Sequence, residues 1–267
     1  MFSFSFALTC FQPILEKLPV TLLLTLGAVA FALIGGILLS FGVLCKVRVI
    51  RTILSILISF LKGIPILVFL YIFNNSIDDV MRTIASLFDF TYDIRNPPKF
   101  LFAILAMGLS YAPYMCDMIV SALETVPKGQ MEACESIGFT KWQGMRRIVL
   151  PQLAVIALPN FGNHFVNLLK ATSLTYMVTI LEMMGAAKNY AVLNQKFLEP
   201  YVTCALIYWG VFLVFERGFR VLEKVTGRYL QSGAVRRKHR NLLSGIWQRY
   251  VLKTTDKKAI CQTEKAR

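Results

Sequence analysis

Apolar runs alternate with short polar connections along this chain, and their lengths set its organisation. Leu18 to Cys45, Phe100 to Cys116 and Pro200 to Phe215 carry no charged residue, and Thr52 to Ile77 carries only Lys62. Each comes close to the roughly 20 apolar residues with which an α-helix crosses a hydrocarbon core of about 30 Å. Ile148 to Leu169 is a fifth run of different character. Pro151, Pro159, Asn160, Asn163, His164 and Asn167 punctuate it, so it is expected to face protein or a water-filled path and not lipid. The pattern predicts an all-α integral membrane protein with spans near 18–45, 52–77, 100–123, 148–169 and 200–222. Residues 1–17 form an N-terminal segment outside the membrane, 18–225 the transmembrane domain, and 226–267 a tail.

Residues 125–151, between the third and fourth spans, break the apolar pattern and predict two short helices. Thr125 precedes Val126-Pro127, and proline suits a helix start because its missing N–H has no partner there. Lys128 to Ile137 then holds no breaker except Gly129, and Gly138 falls where a left-handed C-terminal cap is expected. Thr140-Lys141-Trp142-Gln143 fits a capping box that satisfies the first free amides of a second helix. Trp142, Met145 and Val149 fall on one face at offsets of 3 and 7. Pro151 ends that helix or kinks it. On the residues alone, an amphipathic connector lying on the lipid surface remains the alternative.

Composition and charge narrow the function class. With 56% hydrophobic residues and positive mean hydropathy, the chain is an integral membrane protein and not a soluble enzyme. The six cysteines form no CxxC pair, so reduced, packed thiols are expected in place of disulfides or a metal site. A cleavable signal is not expected, because the first apolar run is too long and no basic segment precedes it. The net charge is +14, and from Glu216 onward there are 14 Lys/Arg against 4 Asp/Glu. Behind a membrane span the positive-inside rule accounts for such a tail, with anionic lipid as a secondary partner; nucleic acid is not an expected one. Lys46, Arg48 and Arg51 follow the first span, and Lys128, Lys141, Arg146 and Arg147 lie in the 125–151 loop. The 77–99 loop instead carries Asp78, Asp79, Asp89 and Asp93 against three basic residues. Five spans with the N-terminus outside and the C-terminus in the cytoplasm put every basic region on one side.

Glu132-Ala133, then Gly138, then Ile148-x-Leu150-Pro151 closely resembles the EAA loop of ABC-transporter permease subunits, with Cys134 at the third motif alanine. Further segments are similar to polar-amino-acid permeases. They are Phe60-Leu61-Lys62-Gly63-Ile64-Pro65, where Arg-Gly-Thr-Pro is usual, Pro127-Lys128-Gly129-Gln130, and Lys170-Ala171-Thr172-Ser173-Leu174. The likeness covers roughly residues 15–225. It implies a five-span MetI-like fold and a permease subunit of a binding-protein-dependent importer, for amino acids or another small solute, in a bacterial inner membrane. Glu132, Ala133, Cys134, Ile137, Gly138, Leu150 and Pro151 would form the cytoplasmic coupling surface. No GxxxxGK(S/T) phosphate loop occurs, so ATP hydrolysis belongs to a separate subunit and no catalytic residue or cofactor is expected here. The implied partners are that ATPase, a second permease (identical or similar) and an external solute-binding protein. The chain departs from the subfamily at Ser59, Phe69, Val120 and Ala171, where polar or charged residues are common, so a charge-reading pocket for arginine or glutamate does not carry over.

The solute path has several candidates. Asp117 interrupts a span at a cost of about 2.5–3.5 kcal/mol for a bilayer centre, so it either meets an ammonium group or pairs at a helix end or subunit contact. Lys62 precedes Gly63-x-Pro65, which suggests a local helix break of the kind that lines transport paths, with a structural kink the favoured reading over direct ligation of solute. Lys170, Thr172 and Ser173 follow the fourth span. Asn160, Asn163, His164 and Asn167 make one polar stripe, for interhelical bonds or for path lining. A rival from another class is an intramembrane serine protease resembling the rhomboid type. It would use Ser110 of Gly108-Leu109-Ser110 with His164, although Tyr111 stands where the usual elbow has a second glycine.

Overall fold

A computed structural model describes residues 2–231 except 90, 96 and 128; most of the basic tail and Lys128 of the loop lie outside the described residues. Contacts divide the chain into Met1–Arg220 and Val221–Arg267. The described residues are helical with no strand.

The first unit opens with α1 (Phe4–Leu15), capped by the Ser3 hydroxyl, which accepts the Phe6 N–H. Next come α2 (Leu18–Val43), α3 (Arg48–Gly63), α4 (Ile66–Asn75), α5 (Ile77–Phe88) and α6 (Lys99–Thr125). The second expected span, 52–77, is therefore not one straight helix. α3 and α4 meet at 94°, because Pro65 lacks an N–H and drives Ile64 into extended geometry at φ −89°, ψ 125°. The expected break at Gly63-x-Pro65 is thus present and sharper than a kink.

After α6 come α7 (Gly129–Ser136), α8 (Lys141–Gly144), a π-helical turn (Met145–Val149) and α9 (Leu150–Ala171). A 3₁₀ stretch (Thr172–Val178), α10 (Met183–Asn194) and α11 (Leu198–Gln231) complete the order. α2, α6 and residues Leu198–Gly227 of α11 are long and apolar enough to cross a membrane, and the bent α3–α4 pair is up to a fourth. α9 has 22 residues, or about 33 Å, but its prolines, asparagines and histidine keep it outside that set.

α2 and α6 form the most extensive helix pair, with small buried residues such as Ala28, Ala32, Ala106 and Ala112 letting the backbones approach. Around this seam Leu24, Met107, Phe69, Phe165 and Leu168 make the main core. Phe165 lies 4.7 Å from Phe215 and 5.4 Å from Phe219 between ring centroids. By contrast Ile53, Ile56, Phe60 and Leu38 are exposed, an apolar surface suited to lipid and not to water.

A second core holds α1 against α10 and α11 through Cys10, Ile14, Met183 and Cys204. At its edge Glu182 is fully buried and caps α10. Its carboxylate accepts the N–H groups of Met184 (2.8 Å) and Gly185 (2.9 Å) and the Tyr208 hydroxyl (2.8 Å). Nothing in the hydropathy pattern points to this buried acid.

Candidate functional site

Two constructions stand out: a hairpin made by α7 and α8, and a polar cleft beside the α3–α4 break. The hairpin is built by its caps. Gly138 adopts φ +85°; its N–H bonds Glu135 O and the Phe139 N–H bonds Cys134 O, each at 3.0 Å. That pattern closes α7 with a left-handed residue at no steric cost. The expected capping box is present: Thr140 Oγ1 accepts the Gln143 N–H, and Gln143 Oε1 accepts the Thr140 N–H at 2.9 Å.

Residue size then folds α8 onto α7. A Cβ at Gly144 would lie 2.9 Å from Met131 Sδ and 3.1 Å from Cys134 Cβ. Cys134, only 2% exposed, is thus a small buried residue at the helix contact, which explains why a departure from alanine is tolerated there. Gly144 carries this close approach and was not singled out by the sequence pattern.

Pro151 does not end the helical path, which carries a π-helical distortion just ahead of it. The Leu150 N–H reaches Met145 O in the wider π pattern, and Pro151 then falls in the first turn of α9, where its missing N–H is tolerated. The extra residue in the π turn also rotates Trp142 out of register with Val149. Trp142 is 67% exposed and Val149 5%, so the single predicted face does not form. Gln152 fastens the hairpin to α9: its Nε2 donates to Ile148 O at 2.9 Å and to Gln130 Oε1 at 2.6 Å. Outward from this frame point Glu132, Ala133, Gly138 and Pro151, with the bare apolar side chains of Ile137, Trp142 and Leu150.

In the cleft, Lys62 at the end of α3 forms an ion pair with Asp117 of α6. The Lys62 ammonium also lies 5.7 Å from the Tyr114 ring centroid, within cation–π range. Tyr111, Tyr114 and His164 form an aromatic triangle with centroid separations of 5.6, 6.4 and 6.1 Å. These rings, with Lys62, Ser110 and Asn167, line a cavity of about 520 Å³. Of the sequence candidates, the structure brings together Lys62, Asp117, His164, Asn167 and Ser110 and leaves the others apart. Asn163 is exposed outside the cavity lining. Lys170 sits 4.9 Å from the Phe212 ring. Thr172 is fully buried with its hydroxyl on Leu169 O, and the Ser173 hydroxyl bonds Lys170 O. Tyr111 and Tyr114 were not candidates, although Tyr114, three residues from both Tyr111 and Asp117, neighbours each of them on the helix surface. Ser110 and His164 share the cavity, but among the described residues no hydrogen bond joins them, as a base-activated nucleophile requires.

The fold is that of an importer permease. The chain belongs to the family of binding-protein-dependent transport system inner membrane components, which it matches over residues 32–227. It is 34% identical over 211 residues to the probable amino-acid permease protein YxeN of Bacillus subtilis (strain 168), covering 79% of this chain and 90% of that one. It is 33% identical over 207 residues to the L-cystine transport system permease protein TcyL of the same organism, covering 78% and 84%. Among solved structures, an amino acid ABC transporter crystallised with histidines superposes with a TM-score of 0.69 at 24% identity, over 84% of this chain and 99% of that one. The MetNI methionine ABC transporter in an inward-facing form gives 0.62 at 16% identity, over 80% and 96%. These two likenesses establish the MetI-like fold.

Proposed function

We propose that this permease carries amino acids inward across the membrane, driven by a separate ATP-hydrolysing subunit that grips the α7–α8 hairpin. The observation that carries the reading is the hairpin itself. It is capped at both helix ends, locked to α9 through Gln152 and Gln130, and presents Ile137, Trp142 and Leu150 uncovered. Exposed apolar side chains on a rigid frame suit a docking surface, and rigid attachment lets a movement of the docked subunit reach α9. The relatives' names support amino acids as the solute.

In this reading the membrane is crossed five times, by α2, the bent α3–α4 pair, α6, α9 and α11, with the N-terminus outside. The hairpin, the α2–α3 turn and the basic tail then face the cytoplasm, in keeping with the positive-inside rule. The polar face of α9 meets a second permease around a shared path, and an external binding protein delivers solute. Alternating access is a shift between two states, each stabilised by different contacts of the hairpin and the solute. The chain itself performs no chemistry.

A photo-crosslinker at Ala133 or Ile137 tests the proposal. Adducts with an ATPase subunit, identified by mass, are expected from either position in intact cells. Adducts only with lipid would overturn it in favour of a surface-lying connector.

A further inference from the structure

Lys62 of the Lys62–Asp117 pair lines two clefts, and Asp117 lines the second of them. The first, the upper cavity, is the one with Tyr114 and His164; the second, a lower cleft of about 440 Å³, runs past Ser55, Ser59, Val120 and Ser121 to Val43 and Glu124. Val43 ends α2 and Glu124 lies in the last turn of α6, so the lower cleft opens at the side of the chain where the hairpin begins. Lys62 lines both spaces, and the salt bridge is the bridge between α3 and α6 at their boundary.

From this arrangement we propose that the Lys62–Asp117 ion pair is a gate, closing the upper cavity from the lower cleft and opening when a zwitterion takes over both of its charges. The proposal rests on the transport reading above and names the step that reading leaves open. Ser59 and Val120 carry no charge, so among the lower cleft's lining residues the only charges are the pair itself and Glu124. In the chain by itself the Lys62 and Asp117 side chains are 28% and 58% exposed; within the assembled membrane domain an unpaired ammonium or carboxylate is costly, which holds the pair shut when no solute is present. A passing amino acid offers a carboxylate to Lys62 and an ammonium to Asp117, so one ion pair becomes two and no charge is stranded. Lys62 has resting places for the open state as well. The Tyr114 ring is already beside it, and it sits in the last turn of α3, where the free carbonyls of a helix end attract a cation. The pair can therefore separate without either helix unfolding.

The test is site-directed thiol labelling of the assembled transporter in membrane vesicles, without need of the solute's identity. Ser110→Cys places a thiol in the upper cavity at a position only 5% exposed; all six native cysteines are replaced by alanine throughout, because Cys116 lines the lower cleft and Cys45 is partly exposed just past the end of α2. A membrane-impermeant methanethiosulfonate is added on the hairpin side. Lys62→Met or Asp117→Asn is expected to speed labelling by about tenfold or more, equivalent to losing a barrier of about 1.4 kcal/mol. Lys62→Arg, and the exchange of Lys62→Asp with Asp117→Lys, are expected to keep it slow. Equal rates in all variants would overturn the gate, as would fast labelling in the charge exchange with the neutral variants slow. Should the single variants fail to assemble, the exchange variant and Lys62→Arg decide alone: slow labelling in both supports the gate and fast labelling in both refutes it. ATP-dependent uptake of radiolabelled L-amino acids by unmodified vesicles is measured in parallel. No uptake with gated labelling sinks the transport reading and leaves the partition standing; uptake with ungated labelling does the reverse.

Discussion

Gly138 and Gly144 flank one turn and constrain it for different reasons. Gly138 needs a positive φ, and no atom lies within 4 Å of where its Cβ would be. Gly138→Arg therefore strains the turn by about 1–2 kcal/mol without a clash inside the chain, while its side chain projects into the proposed docking surface. The variant is expected to insert into the membrane normally, with ATP-dependent uptake reduced at least about tenfold; normal uptake would count against docking there. At Gly144 the obstacle is internal. Gly144→Val would press on Cys134 and Met131, an overpacking cost of about 1–3 kcal/mol, and its ATPase subunit is expected to be lost on purification. Glu182 shows a third kind of constraint. Burial pushes its carboxyl above the ordinary range, against the pull of its hydrogen bonds. The folded chain then holds that proton more tightly than the unfolded chain does. The stability so gained is full below the ordinary carboxylate range and is lost as pH rises through the raised folded value. Melting of the detergent-solubilised protein should show this fall in Tm with pH, and Glu182→Gln should flatten it. Glu182→Ala, which strands two amides and the Tyr208 hydroxyl, is expected to cost on the order of 2 kcal/mol at any pH.

Among the elements, the continuous path from α8 through the π turn into α9 joins hairpin to bundle. Hydropathy and caps made α7 and α8 legible, since Gly138, Thr140 and Gln143 act over three or four residues. The π turn was not legible. Pro151 implied a distortion of the helix but not its form, a register change at the residue before it. The tie from Gln130 to Gln152 spans 22 residues and leaves no periodic trace. Gln152→Ala and Gln130→Ala should each loosen the hairpin from α9 by about 1 kcal/mol, and the double variant should cost no more than Gln152→Ala alone. Amino-acid uptake per ATP hydrolysed, measured in proteoliposomes, is expected to fall in all three.

For the whole molecule, the crossing pattern makes its own prediction. With the native cysteines replaced, Lys46→Cys in the α2–α3 turn should react with an impermeant thiol reagent only from the cytoplasm, and Asp79→Cys on α5 only from outside; the same side for both would refute five crossings. Local rules carried the sequence a long way here. Roughly 20 apolar residues in a row specify a helix in a membrane because backbone groups there must bond within the segment, and that requirement is written in each segment alone. Pro65 and Gly63 announced the break in the second span in the same local way, though not its 94° size. Which helices touch, and so which charges meet, was left to the tertiary structure. Lys62 and Asp117 stand 55 residues apart, Glu182 and Tyr208 26. Within a bilayer every helix is already satisfied by itself, so partners are chosen by the fit of small residues and a few polar contacts, and that fit exists only once the helices lie side by side.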